Sequence, residues 1–188
     1  ISDFNSFSFT SEFISGKHRY CLWIENEFLE EAKTILPIQK RIDNVFIERT
    51  NSSDLGQQRI ASKSHQFREF HKTTSNSIII PVVSSSRRVY IPCGFITINT
   101  IVPNSAQVIY DTEIFNLSIV SSKIHMCWVK LISGKLRNDI RYSSSLLYNT
   151  FPFPNISKQR KEELTQCTLK IIDERLKHSE KTLAQLYD

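Results

Sequence analysis

A change of sequence pattern near Ser77 limits the folds open to this chain. Before it, 27–36 reads as helix, and Pro37 suits the first turn of a second helix. That second helix carries Ile38, Ile42, Val45 and Phe46 on one face and Lys40, Arg41 and Arg49 on the other. From Ser77 to Tyr110 the runs 78–83, 89–97 and 106–110 are rich in β-branched and aromatic residues and punctuated by Ser, Pro and Asn, which predicts several strands. Pro81 and Pro92 fall inside those runs and imply edge strands or bulges, because proline has no N–H to give to a ladder. Helical patterning returns after Asp111. The expected class is α+β, a mixed β-sheet with packed helices, followed by a small C-terminal helical segment.

Local signals refine this outline. RYCLWI at 19–24 alternates and reads as a strand after a turn at Gly16, while the polar run 50–58 is either an interruption or the flexible part of a helical excursion. Asp111 or Thr112 is the expected cap of a helix that turns Ile114, Leu117, Ile124, Trp128 and Leu131 inward, with Ser121 on the same stripe. Gly134 is expected to stop that helix in the left-handed conformation. Beyond Pro152 and Pro154, Ser157 is placed to cap a helix burying Leu164, Cys167, Ile171 and Ile172, and 183–187 forms a last turn. The serine runs 84–86 and 143–145 read as loops. Two units follow from this pattern, 1–154 and 155–188.

The 188 residues, 40% of them apolar, suffice for one ordinary core with an appendage. The chain opens on Ile1, shows no signal peptide and has no apolar run of bilayer-spanning length, so it reads as a non-membrane piece of a larger polypeptide. Cys21, Cys93, Cys127 and Cys167 form no C-x-x-C pair and are expected to be buried free thiols of a cytoplasmic protein. His125 lies too close to Cys127, and the pair is too isolated, for a zinc finger, so no metal site is expected.

The formal charge is +5, a surplus that suits a polyanionic partner without requiring one. Beyond Ile156 the charges nearly balance, which places the excess earlier in the chain. The chain has four glycines, Gly16, Gly56, Gly94 and Gly134, so it has no glycine-rich loop to cradle a nucleotide, and no cofactor site is expected within it. No G-x-S-x-G, H-E-x-x-H or similar catalytic constellation occurs, and no residue is nominated as catalytic.

Binding chemistry is richer. Ser85, Ser86, Arg87 and Arg88 combine hydroxyls with guanidinium forks, both of which complement phosphate oxygens; the same sequence also suits a solvated hairpin turn. In 134–143, Lys135, Arg141 and Ser143 are further candidates for phosphates. Between them Arg137, Asn138 and Asp139 offer three base-edge chemistries: arginine for guanine O6 and N7, asparagine for adenine N6 and N7, aspartate for cytosine N4. Chemistry alone leaves Asp139 either as a base reader or as half of a salt bridge with Arg137 or Arg141, and favours the bridge.

The ordered series Arg88-Val89-Tyr90-Ile91-Pro92-Cys93-Gly94-Phe95, Ile109-Tyr110-Asp111, Ser121 to Lys130, Gly134-Lys135-Leu136, Arg141-Tyr142-Ser143 and Tyr148 to Pro154 resembles the target recognition domain of MmeI-like enzymes. Leu183 to Asp188 is similar to a family signature too. Those enzymes are single-chain type II restriction-modification proteins joining an endonuclease, an S-adenosylmethionine-dependent adenine-N6 DNA methyltransferase and a recognition domain. The resemblance implies a chain that reads a short site in double-stranded DNA while an upstream methyltransferase domain of the same polypeptide acts on a flipped adenine. S-adenosylmethionine would then belong to the parent protein. It also implies that Arg137 and Asp139 help to choose the base, and that 63–72 adds further contacts. The chain departs from the family's usual pattern at Lys135, Ser144 and Thr150, and Lys135 keeps the charge of an arginine without its bidentate fork. A different class of function, a protein-interaction module docking a catalytic subunit or domain, would be favoured by a large apolar patch on the final helices without a basic cleft. An RNA partner is disfavoured by the absence of an RNP-type strand or a G-x-x-G clamp.

Overall fold

Alternation along one strand organises the largest part of the molecule. In β3 (Ser77–Pro81) every residue is buried. Successive side chains of a strand point to opposite faces. Ile78 and Ile80 accordingly enter the main core with Ile91, Leu117, Val129 and Leu147, whereas Ile79 meets Ile96 and Ala106 on the other side. The computed structural model describes residues 5–7, 13–17, 19–68, 75–98, 100–102, 106–136 and 139–188.

The expected α+β class is correct, with the strands distributed over three small sheets. β1 (Asn5–Phe7) pairs antiparallel with β2 (Arg19–Cys21) and parallel with β6 (Thr100–Ile101). β3 lies between β5 (Gly94–Ile96) and β7 (Ala106–Ile109), antiparallel to both. The third sheet has the order β4-β9-β8, formed by Val83–Ser84, Asp139–Arg141 and Gly134–Leu136. The prolines sit differently from expectation. Pro81 ends the central strand β3, at a position paired with β7 alone, and Pro92 lies in the buried link before β5. A missing N–H is tolerated at a strand end, where one side of the ladder has already stopped.

Helices α1 (Leu29–Lys33) and α2 (Leu36–Thr50) form the predicted pair, with Pro37 in the first turn of α2. The polar run after it does interrupt the helix, and α3 (Leu55–Arg59) follows, capped by Asp54, whose carboxylate accepts from the Gly56 N–H. The inward face of α2 is narrower than its pattern suggested: Ile42 is buried, but Val45 and Phe46 are exposed.

The helix expected after Asp111 is two helices, α4 (Asn116–Val120) and α5 (Lys123–Ile132). Ser122, extended in its backbone, caps α5 by accepting from the His125 N–H at 3.1 Å. Asp111 is not a cap. It adopts φ 47°, and its carboxylate accepts from the N–H of Ser75 at 2.8 Å. Restarting the helix at Ser122 resets its phase, so His125, Met126 and Val129 turn inward while Ile124 and Leu131, expected in the core, are exposed. Nor does Gly134 terminate α5 in the left-handed region; Ser133 leaves the helix extended and Gly134 opens β8. Ser144–Tyr148 is a π-helical turn rather than a loop.

Two predicted C-terminal elements form as expected. α6 (Lys158–Lys177) is capped by Ser157, and α7 (Leu183–Tyr187) by a reciprocal box between Thr182 and Gln185. Thr168 is the fully buried residue of α6, donating to the Ile114 carbonyl at 3.2 Å, and Cys167 is exposed. Cys127 is exposed as well and Cys21 half-buried, so of the four thiols only Cys93 is buried as expected; none is in a disulfide. Among the described residues no helix is long and apolar enough to cross a membrane.

Candidate nucleic-acid interface

The β4-β9-β8 sheet joins the two basic segments that the sequence keeps apart. β9 pairs with β4 through Val83↔Arg141 and Ser84↔Ile140, and with β8 through Gly134↔Arg141, Lys135↔Ile140 and Leu136↔Asp139. Ile140 is buried, so alternation sends Asp139 and Arg141 to the opposite face, where Arg141 is exposed and Asp139 half-buried. No ion pair joins Asp139 to Arg141 among the described residues. Arg137 and Asn138 lie between the two strands and outside the described residues, as do 69–72 of the 63–72 stretch.

Directly after β4 the chain turns sharply. The Arg88 N–H donates to the Ser85 carbonyl at 3.2 Å and the Arg87 N–H to the Ser85 hydroxyl at 3.4 Å. This turn leaves Ser86 and Arg87 exposed and Ser85 half-buried. Arg88 points elsewhere: its Nε donates to Asp188 Oδ1 at 2.7 Å and its Nη1 to the Ser84 hydroxyl at 3.5 Å. On the far side of β9, the Ser143 and Ser145 hydroxyls lie 3.0 Å apart.

Beneath the sheet a buried polar pair sets the strand's seat. The Tyr142 N–H donates to the Val82 carbonyl at 2.7 Å, extending the β4-β9 pairing by one step. Its hydroxyl meets His125 Nε2 at 3.0 Å, and the His125 ring stands edge-on to Phe151. Burial pushes the His125 pKa down to about 4 and raises that of Tyr142, so both are neutral over the physiological range. His125 Nδ1 has no partner among the described residues. Cys93, also pushed up by burial, contacts the Ser121 hydroxyl at 3.3 Å. These groups are enclosed and carry no reactive access.

The chain is similar to known proteins in sequence and in fold. The family described as "MmeI, target recognition domain" matches residues 3–155. This chain belongs to the MmeI target recognition domain family. It is 44% identical over 185 residues to DNA methyltransferase A of Bacillus subtilis (strain 168), an alignment covering 98% of this chain and 21% of that protein. Its fold is similar to that of the type IIL restriction-modification enzyme MmeI solved in complex with DNA, with a TM-score of 0.93 and 31% identity over 99% of this chain and 25% of that one. The chain thus spans about a fifth to a quarter of the length of these relatives.

Three partnerships in this chain escape sequence reasoning. One is Arg88 with Asp188, another Arg175 with the Tyr187 hydroxyl, and the third Arg49, which donates to the carbonyls of Ile60, Lys63 and Gln66. Each links segments distant in sequence or binds backbone atoms, which no side-chain pattern reports.

Proposed function

We propose that this chain is the sequence-reading module for double-stranded DNA in a larger, cytoplasmic restriction-modification methyltransferase. The observation that carries the reading is the β4-β9-β8 sheet, which sets the Ser85–Arg88 turn beside the 134–143 hairpin on one side of a closed core. Arg137, Asn138 and Asp139 read base edges, because they offer donors and acceptors in a form that major-groove edges can distinguish. Ser85, Ser86, Arg87, Lys135, Arg141 and Ser143 bind the sugar-phosphate backbone and fix the register, which is the usual division of labour in protein–DNA contacts. Arg88 falls in the same stretch, with the additional partners already described. The recognition unit occupies 1–154, and 155–188 supports it.

S-adenosylmethionine and the adenine-N6 transfer it supports belong to the rest of the polypeptide. The four widely separated glycines of this chain give no loop to cradle that cofactor. A second reading, docking to the adjoining methyltransferase domain, is favoured by the exposed Leu36, Phe46 and Ile47 of α2 and Ile124 and Leu131 of α5. The two readings are compatible, since a reader must be fastened to the domain it serves.

Selection from a pool of randomised duplexes at two salt concentrations tests the proposal, with an enriched motif as the expected result. Binding without any enriched motif, in the presence of the full polypeptide, would remove the base-reading claim. Asp139→Asn is expected to change the preferred base at one position while leaving the salt dependence unchanged. Arg87→Ala is expected to weaken all sites alike and to lower the slope of log affinity against log salt by about 0.9.

A further inference from the structure

Arg88 is unlike its neighbour in the turn. Its side chain is only 10% exposed, and both Nε and Nη2 approach Asp188 Oδ1 at 2.7 Å, across 100 residues of sequence. Nη1 reaches back to the Ser84 hydroxyl on β4. Asp188 follows α7, whose Tyr187 hydroxyl accepts from Arg175 Nη2 and whose Tyr187 ring lies 5.2 Å from the Arg175 guanidinium. Arg175 belongs to α6, which packs on the main core through Ile172 and is joined to the segment before α4 by Thr168 on the Ile114 carbonyl and by Lys161 with Glu113 at 2.7 Å. A continuous run of contacts therefore leads from the core, through both C-terminal helices, to the turn bearing Arg87.

From this path we infer that Arg88 and Asp188 form a latch that positions the Ser85–Arg88 turn. Arg88 is a positioning residue for DNA binding, and Arg87 is the arginine that meets phosphate. The inference rests on the DNA-reading proposal for its functional consequence, but the latch itself is a property of the fold. A nearly buried guanidinium with its fork already on a carboxylate is poorly placed to leave it, since the vacated group would be desolvated and unpaired.

The two roles give opposite signs for one substitution. Asp188→Asn removes a negative charge, so if Arg88 were a free phosphate contact, the variant would bind duplex as tightly as the parent or more tightly. Arg88→Ala would then lower the salt slope by about 0.9. A latch predicts that Asp188→Asn and Arg88→Ala each weaken binding by about threefold, the scale of a favourable ion pair, with the salt slope unchanged. The exchanged pair, Arg88→Asp with Asp188→Arg, should recover most of the loss. Duplex affinity across a salt series, measured on the full polypeptide that carries this chain, separates these outcomes.

Thermal unfolding of the same variants and of the Arg88→Ala/Asp188→Asn double variant provides a readout independent of DNA. The double variant is expected to melt no lower than the weaker single one, because the first substitution already opens the latch. Additive losses would overturn the latch. If the parent protein binds no duplex at any salt, the DNA-reading proposal fails, and the unfolding cycle alone decides whether Arg88 and Asp188 are coupled.

Discussion

The core beneath the 134–143 hairpin and the helical excursion of residues 26–68 bury their apolar side chains to different depths. In the first, Ile78, Ile80, Ile91, Leu117, Val129 and Leu147 are each at most 1% exposed. In the second, α2 buries Ile42 but leaves Leu36 75%, Phe46 46% and Ile47 52% exposed. The reason is the number of neighbours. β3 has a strand on each side and helices over its face, whereas α2 rests on α1, α3 and the short turn Ala61–Lys63. The hairpin therefore stands on a base made stiff by close apolar packing around one buried polar pair, His125 and Tyr142. The excursion depends more on polar ties and leaves apolar side chains exposed.

Truncating one residue in each region gives the largest expected contrast. Leu117→Ala should cost about 3–5 kcal/mol, because the fully enclosed site cannot collapse around the cavity. Phe46→Ala should change the stability of the isolated chain by less than about 1 kcal/mol, since much of the ring already faces solvent. Denaturant unfolding measures both. Equal losses would show that α2 is as deeply integrated as the β3 core.

Acid should act on the same contrast through two histidines. His125, fully buried, has its pKa pushed down by burial to about 4. His65 is lowered too, by burial first and then by Lys33, Lys63 and Arg49, but it keeps a 2.8 Å contact from Nε2 to Asn26. A histidine held neutral in the folded state stabilises above its unfolded pKa of about 6.5, and that stability is lost as the pH falls toward the folded value. For His125 the loss between those limits is at most about 3 kcal/mol. His125→Gln should flatten most of the decline in stability between pH 6.5 and 4, and His65→Gln less of it. The reverse ranking would place the acid-sensitive point in the excursion.

How far the sequence reveals these regions depends on whether the decisive interaction is local. Ser157 and the Thr182–Gln185 box are legible as caps because a cap and its helix are adjacent in the chain. The run 78–83 is legible as strand from its β-branched residues, although the structure divides it between β3 and β4. The family, too, was legible from motifs in order, as the match over residues 3–155 bears out. The break at Ser122 was not. One serine closing on the His125 N–H shifts the phase of α5, so Ile124 and Leu131 end outside, while His125 and Met126, whose helical spacing reads as core, do go in. The burial expected of Cys127 and Cys167 also fails, since a helical pattern does not report how much of a helix face is covered. The site was half legible: each basic segment stands out by composition, but their pairing through Ser84 and Ile140 is a long-range register, and the Arg88 to Asp188 contact is longer-ranged still.

Arg49 tests whether the two regions are separate units. Placed in the last turn of α2, it donates to the Ile60 carbonyl at 3.2 Å, to Lys63 at 2.8 Å and to Gln66 at 2.8 Å, and so holds the far side of the excursion by backbone atoms alone. Arg49→Ala leaves these acceptors without their charged donor and should cost the excursion about 2 kcal/mol. Arg49→Lys should recover only part of this, because a single ammonium cannot span carbonyls that a planar fork reaches from two nitrogens. Hydrogen exchange locates the loss: amide protection at Ile60, Lys63 and Gln66, whose N–H groups donate within this segment, is expected to fall while that of Ile78 to Ile80 is kept. If the excursion opens as a unit of its own, below the global unfolding free energy, the urea midpoint followed at the β3 core should move less than the local protection. An equal fall at Ile78 to Ile80 would mean that the excursion and the core open together, and that the hairpin's base extends through α2.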